Sequence, residues 1–99
     1  MADITRDYEL VVILNPEIGD DAVPYSIQRV EQGITTRGGE VTDSNHWGRR
    51  RLAYPIRKQH EGQYILMQTQ MTANATQEIE RNLRLTEQII RFQIIRTDV

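Results

Sequence analysis

The chain has 99 residues, no cysteine and a formal net charge of −2. A chain of this length is expected to form a single domain, residues 1–99, whose two-layer core buries only ~60–70% of the surface the unfolded form exposes. Disulfides and thiolate metal sites are excluded, no apolar run is long enough to cross a bilayer, and Met1-Ala2-Asp3-Ile4 lacks the charged and apolar regions of a signal peptide.

Tyr8, Leu10, Val12 and Leu14 alternate with Glu9, Val11 and Ile13, the period of two that marks a strand. Asn15-Pro16 breaks it. Asp20-Asp21 then offers acceptors for a helix N-terminus, and Pro24 is compatible with its first turn. Val23, Ile27, Val30 and Ile34 follow at helical spacing. Gly33 weakens this helix by about 1 kcal/mol relative to alanine, and Gly38-Gly39 ends it, one of them left-handed. Residues 40–56 read as a long second strand with a bulge or bend at Gly48, and polar residues 57–62 as the turn. Residues 63–71 form the third strand, in which Ile65, Met67 and Met71 alternate with Tyr64, Leu66, Gln68 and Gln70. Asn74, answered by Gln77, is the expected cap of a second helix with Ala75, Ile79 and Leu83 on its buried stripe. Residues 88–97 are the last strand, with Ile90, Phe92 and Ile94 on one face.

Strand, helix, strand, strand, helix, strand is the order of an α+β, ferredoxin-like split β-α-β sandwich: a four-stranded antiparallel sheet with two helices on one face. The expected core is Tyr8, Leu10, Val12, Leu14, Ile27, Val30, Ile34, Val41, Ile65, Met67, Ile79, Leu83, Phe92 and Ile94. The uncovered face then carries Val11, Ile13, Tyr64, Leu66 and Ile95. A contiguous apolar patch there would mark an interface. Scattered apolar side chains, or shielding by a curl of the long second strand, would need no partner.

Charge is distributed unevenly. Before Trp47, Asp3, Asp7, Glu9, Glu17, Asp20, Asp21, Glu31, Glu40 and Asp43 outnumber Arg6, Arg29 and Arg37. Residues 47–58 hold Arg49, Arg50, Arg51, Arg57 and Lys58 and no acid. Guanidinium forks match phosphate oxygens, so the run suits RNA phosphates. The same charges also suit a solvated edge strand. A molecule polarised in this way can turn one face to phosphates and another to a basic protein.

Little speaks for catalysis, and no cofactor is expected. His46 and His60 have no partner at metal-ligand or triad spacing. Asp43, Ser44, Asn45 and His46 alternate in direction along a strand and do not converge. No glycine-rich phosphate loop follows the first strand, and the loop there lacks the arginine an acylphosphatase of this fold would need. The RNA-recognition motif shares the topology, but strand three, Gln63-Tyr64-Ile65-Leu66-Met67, lacks its basic-glycine-aromatic opening and second aromatic. Base stacking on strands one and three is therefore not expected, whereas arginine contact with an RNA backbone stays open.

Gly48, Arg50-Arg51-Leu52-Ala53-Tyr54 and Ile56-Arg57 resemble the signature of the bacterial small-ribosomal-subunit protein six family. Tyr8-Glu9, the apolar run 10–14 and Asn15-Pro16 resemble its first strand and exit turn. The resemblance spans roughly residues 6–98. It implies a structural, non-enzymatic role in the cytoplasm, on the ribosome, without membrane or small-molecule substrate. It further implies binding to the central domain of 16S rRNA as a heterodimer with small-subunit protein eighteen, after protein fifteen has shaped that RNA. Arg50, Arg51 and Arg57 match the motif's basic positions and become the leading RNA contacts. Arg49 falls at a position the motif leaves free, and Arg91, Arg96 and Arg6 are further candidates. Leu52, Ala53, Tyr54 and Ile56 match as well and serve packing or the partner. Tyr54 with Val11, Ile13, Tyr64, Leu66 and Ile95 makes the candidate partner surface. Many family members carry a charged C-terminal tail, and none follows the last strand here. A regulatory or small-molecule-binding domain that dimerises through its open face is the competing expectation.

Overall fold

The computed structural model describes residues 4–98; Met1, Ala2 and Asp3, read above as lacking a signal sequence, and Val99 lie outside them. The elements run β1 (Thr5–Leu14), two 3-10 turns (Pro16–Ile18 and Asp20–Ala22), α1 (Val23–Thr35), β2 (Glu40–Ile56), β3 (Gln59–Thr72), α2 (Ala73–Arg84) and β4 (Ile89–Arg96). The sheet is antiparallel with order β2-β3-β1-β4, and one cluster joins Val23 and Ile34 of α1 and Ala75, Ile79 and Leu83 of α2 to Leu10, Val12, Leu14, Ile65, Met67 and Met71 of the sheet. The split β-α-β sandwich expected from the order of elements is the fold observed.

The centre of the expected core is buried, while Tyr8, Ile27, Val30, Val41, Phe92 and Ile94 pack half-exposed around its margin. Four local expectations need correction. Asp20 and Asp21 form their own 3-10 turn, and α1 starts after Ala22 with no side-chain cap; Pro24 sits in its first turn as expected. The cap of α2 is Thr72, whose hydroxyl accepts from the Ala75 N–H at 3.2 Å, and Asn74 lies inside the helix. The turn between β2 and β3 is only Arg57-Lys58, with φ of 50° and 66°, so β3 begins at Gln59. Both residues are left-handed, which matches a primed two-residue hairpin turn without the usual asparagine and glycine.

The fourth correction shapes the open face. Ile13 pairs with Arg91 but Leu14 pairs with Ile89, so Ile90 is an extra residue. The bulge breaks the alternation: Ile89 joins the helix-side core and Ile90 turns to the other face. There Ile90, Ile13 and Leu52 form a second small core, with Ile56 and Tyr64 against it. The end of β2 thus curls back over the sheet. Gly62 makes room for the Ile13 side chain in this cluster, because a Cβ at that position would collide with Ile13 Cγ2.

Candidate nucleic-acid interface

Directly paired residues of an antiparallel sheet share a face. Arg49 pairs with Gln63, Arg50 with Gly62 and Arg51 with Glu61. The buried Gln63, Ile65 and Met67 mark the helix side, so Arg49 and Arg51 lie on that side and Arg50 on the open side. Leu52, two residues beyond Arg50, enters the small open-face core. A single strand therefore carries anchored residues, Arg49 and Leu52, on either side of exposed ones, Arg50 and Arg51.

Arg49 is an anchor. Its guanidinium reaches Glu61 Oε1 at 3.0 Å, Asp20 Oδ1 at 3.5 Å and donates to the Pro16 carbonyl at 3.2 Å. Asp20 also accepts from the Gln63 amide at 2.8 Å, and Gln63 Oε1 in turn lies 2.9 Å from His46 Nε2. Gln63 is only 2% exposed, so this network satisfies a buried amide that would otherwise cost free energy. It is what Asp20 does in place of capping a helix. The network could not be read from spacing, since Arg49 meets Asp20 and Glu61 only through the fold.

Arg50 and Arg51 differ. Both are exposed, and neither forms an ion pair among the described residues. Arg50 instead lies over the Trp47 ring, 5.8 Å from its centroid, a cation–π contact that leaves its charge uncompensated. The other four candidates are partly engaged. Arg57 donates to the Glu87 carbonyl at 3.2 Å. Arg91 donates to the Tyr54 hydroxyl and stacks on its ring at 5.7 Å. Arg96 and Arg6 both meet Asp98, at 2.6 and 4.0 Å, and the Arg96 hydrogen bond holds the Asp98 carboxyl below the usual carboxylate range. Arg6 pairs with Met71, nine positions along β3 from Gly62, a separation of roughly 30 Å. The seven arginines therefore do not form one site.

The open face changes character along the strands. Asp7, Glu9, Glu40 and Asp43 share one end through their pairing with Gln70 and Gln68. Val11, Leu66 and Ile95 hold the middle, with Val11 opposite Leu66 and Ile95 opposite Glu9; Ile95 is 42% exposed. At the other end Ile13 is covered by Leu52 and Ile90 and offers no surface, and Tyr64 is half-buried beside it. Tyr54 stands out at 56% exposed, over a groove of about 190 Å³ shared with Val11, Leu52, Tyr64 and Arg91. Among the described residues no three metal-ligating side chains converge.

The Ribosomal protein S6 family profile matches residues 7–96. Small ribosomal subunit protein bS6 of Caldanaerobacter subterraneus subsp. tengcongensis is 41% identical over 93 residues, covering 94% of this chain and 98% of that protein. The bS6 protein of Desulforudis audaxviator is 41% identical, with 94% and 99% covered. The crystal structure of 30S ribosomal protein S6 from Thermotoga maritima superposes with a TM-score of 0.89 at 30% identity, covering 95% of this chain and 89% of that one. With its split β-α-β sheet and a family match that spans residues 7–96, the chain belongs to the ribosomal protein S6 family, non-enzymatic proteins of the small ribosomal subunit.

Proposed function

We propose that this protein binds the central domain of 16S rRNA jointly with small-subunit protein eighteen, Arg50 and Arg51 supplying the phosphate contacts. The observation that carries the reading is the contrast within the arginine run. Arg49 is spent on Glu61, Asp20 and Pro16, whereas Arg50 and Arg51 stand exposed without a carboxylate among the described residues. Anchored on a paired strand, they lose little conformational freedom when they meet phosphate oxygens. Arg57 and Arg91 extend the cationic end, while Arg6 and Arg96, held by Asp98 at the far end of β1 and β4, take no part in this cluster.

In this reading the partner lies along the middle and acidic end of the open face, with Tyr54 reached at its far margin across the groove shared with Val11. Val11, Leu66 and Ile95 supply apolar area, and Asp7, Glu9, Glu40 and Asp43 a charge complementary to a basic protein. Reconstitution with protein eighteen and a central-domain RNA fragment, read by footprinting, tests the proposal. The expected result is weak protection by the chain alone and strong protection with the partner. Equal protection with and without the partner contradicts joint binding.

A further inference from the structure

Trp47 is not accounted for by the fold. It is the extra residue of a second bulge: His46 pairs with Ile65 and Gly48 with Tyr64, leaving Trp47 between them without a partner on β3. Gly48 has a φ of +84°, and nothing lies within 4 Å of a Cβ built on it, so glycine is there for the backbone turn and not for space. Bulges re-aim side chains. Here the result is an indole that stays 48% exposed although it is among the largest apolar groups in the chain. Arg50 covers part of it, and Arg51 follows with its charge free.

An exposed indole beside a guanidinium has two natural partners, a protein hot spot or a nucleotide. Burial under a protein would desolvate Arg50 and Arg51 in a run, residues 47–58, that has no acid of its own, a cost that only a matched acidic surface would offset. A nucleotide brings its own counter-charge, and every base has a face that stacks on an aromatic ring. We propose that Trp47 and Arg50 form a stacking site for an unpaired nucleotide, the indole taking the base and the guanidinium its phosphate. This rests on RNA being the ligand of the arginine run and adds contact with a base to contact with the backbone. It differs from an RNA-recognition motif, which stacks bases on strands one and three.

Trp47 is the single tryptophan of the chain, so its emission reports on this site alone. The full chain is titrated at low salt with oligoadenylate, with an abasic phosphodiester chain of equal length, and with a blunt RNA duplex. The expected result is quenching by oligoadenylate only, the other two binding without it. Trp47→Ala should weaken oligoadenylate binding by roughly 5- to 100-fold and leave the abasic chain unaffected, while Trp47→Phe keeps most of the affinity. Equal quenching by the abasic chain, or unaltered oligoadenylate affinity in Trp47→Ala, overturns stacking and leaves the phosphate reading standing. Failure of oligoadenylate to bind at low salt also overturns stacking, while the joint phosphate reading is judged separately by footprinting with protein eighteen. Emission that responds to protein eighteen and not to oligoadenylate assigns Trp47 to the protein partner and overturns the proposal. Because quenching is read on the unaltered chain, the outcome does not depend on whether Trp47→Ala folds.

Discussion

Two stretches of β2, intermixed within residues 47–52, stand in opposite surroundings. Arg49 and Leu52 tie the strand to the body, one through Glu61, Asp20 and Pro16, the other through Ile13 and Ile90. Trp47, Arg50 and Arg51 stand out into solvent. Faces alternate along a strand, but anchored and free residues do not follow that period here: Arg49 shares the helix side with the free Arg51, and Leu52 shares the open side with the free Arg50. Chemically identical arginines at neighbouring positions thus have different contacts, set by what the fold brings to each.

Changes to the anchors should cost stability, and changes to the free groups should cost binding. Leu52→Ala is the largest expected stability effect. It empties the small open-face core, and chemical denaturation should show a loss of about 2–3 kcal/mol. Arg49→Ala should cost about 1 kcal/mol or less, because its partners are largely exposed and screened. Differential scanning calorimetry would show this as a modest drop in Tm. By contrast Arg50→Ala and Arg51→Ala should each leave stability within about 0.5 kcal/mol. A loss as large as that of Leu52→Ala would erase the distinction between the two stretches.

Lys58→Gly sharpens the comparison from the other side. Lys58 holds a φ of 66° in the hairpin turn, so glycine should stabilise the protein by about 0.5–1 kcal/mol while removing one cation. The smallest effect concerns Asp98. Its folded-state pKa is lowered, chiefly by the Arg96 hydrogen bond, so its contribution is present above the unfolded pKa and is lost as pH falls through the folded one. Asp98→Asn should therefore show a slightly shallower loss of Tm on acidification from about pH 4 downward than the parent.

Much of the fold was legible because element type follows apolar periodicity, and β1, α1 and β3 carry it clearly. The errors fall where a local rule met a feature it does not describe. Period-two counting through Ile90 failed at a bulge. Asn74 was a good cap by type, but Thr72 stood where the backbone turns extended, with φ −80° and ψ 162°. Residues 57–62 read as a turn because they are polar, yet Gln59, Glu61 and Gly62 pair with β2 in the β2–β3 ribbon. Within the candidate site, the arginine run was visible as composition. That Arg49 is spent and Arg50 is free was not, since Asp20, Glu61 and Pro16 reach Arg49 only in three dimensions. The covering of Ile13 had the same cause: its lid, Leu52, lies 39 positions further along the chain.

The salt dependence of RNA binding in the presence of protein eighteen tests the division most directly. Replacing Arg50 and Arg51 together by alanine should lower the slope of log K against log salt by roughly 0.7–0.9 for each phosphate that is no longer neutralised, while Arg49→Ala should leave the slope where it was. A slope unchanged in the double variant, or reduced equally by Arg49→Ala, would contradict the account.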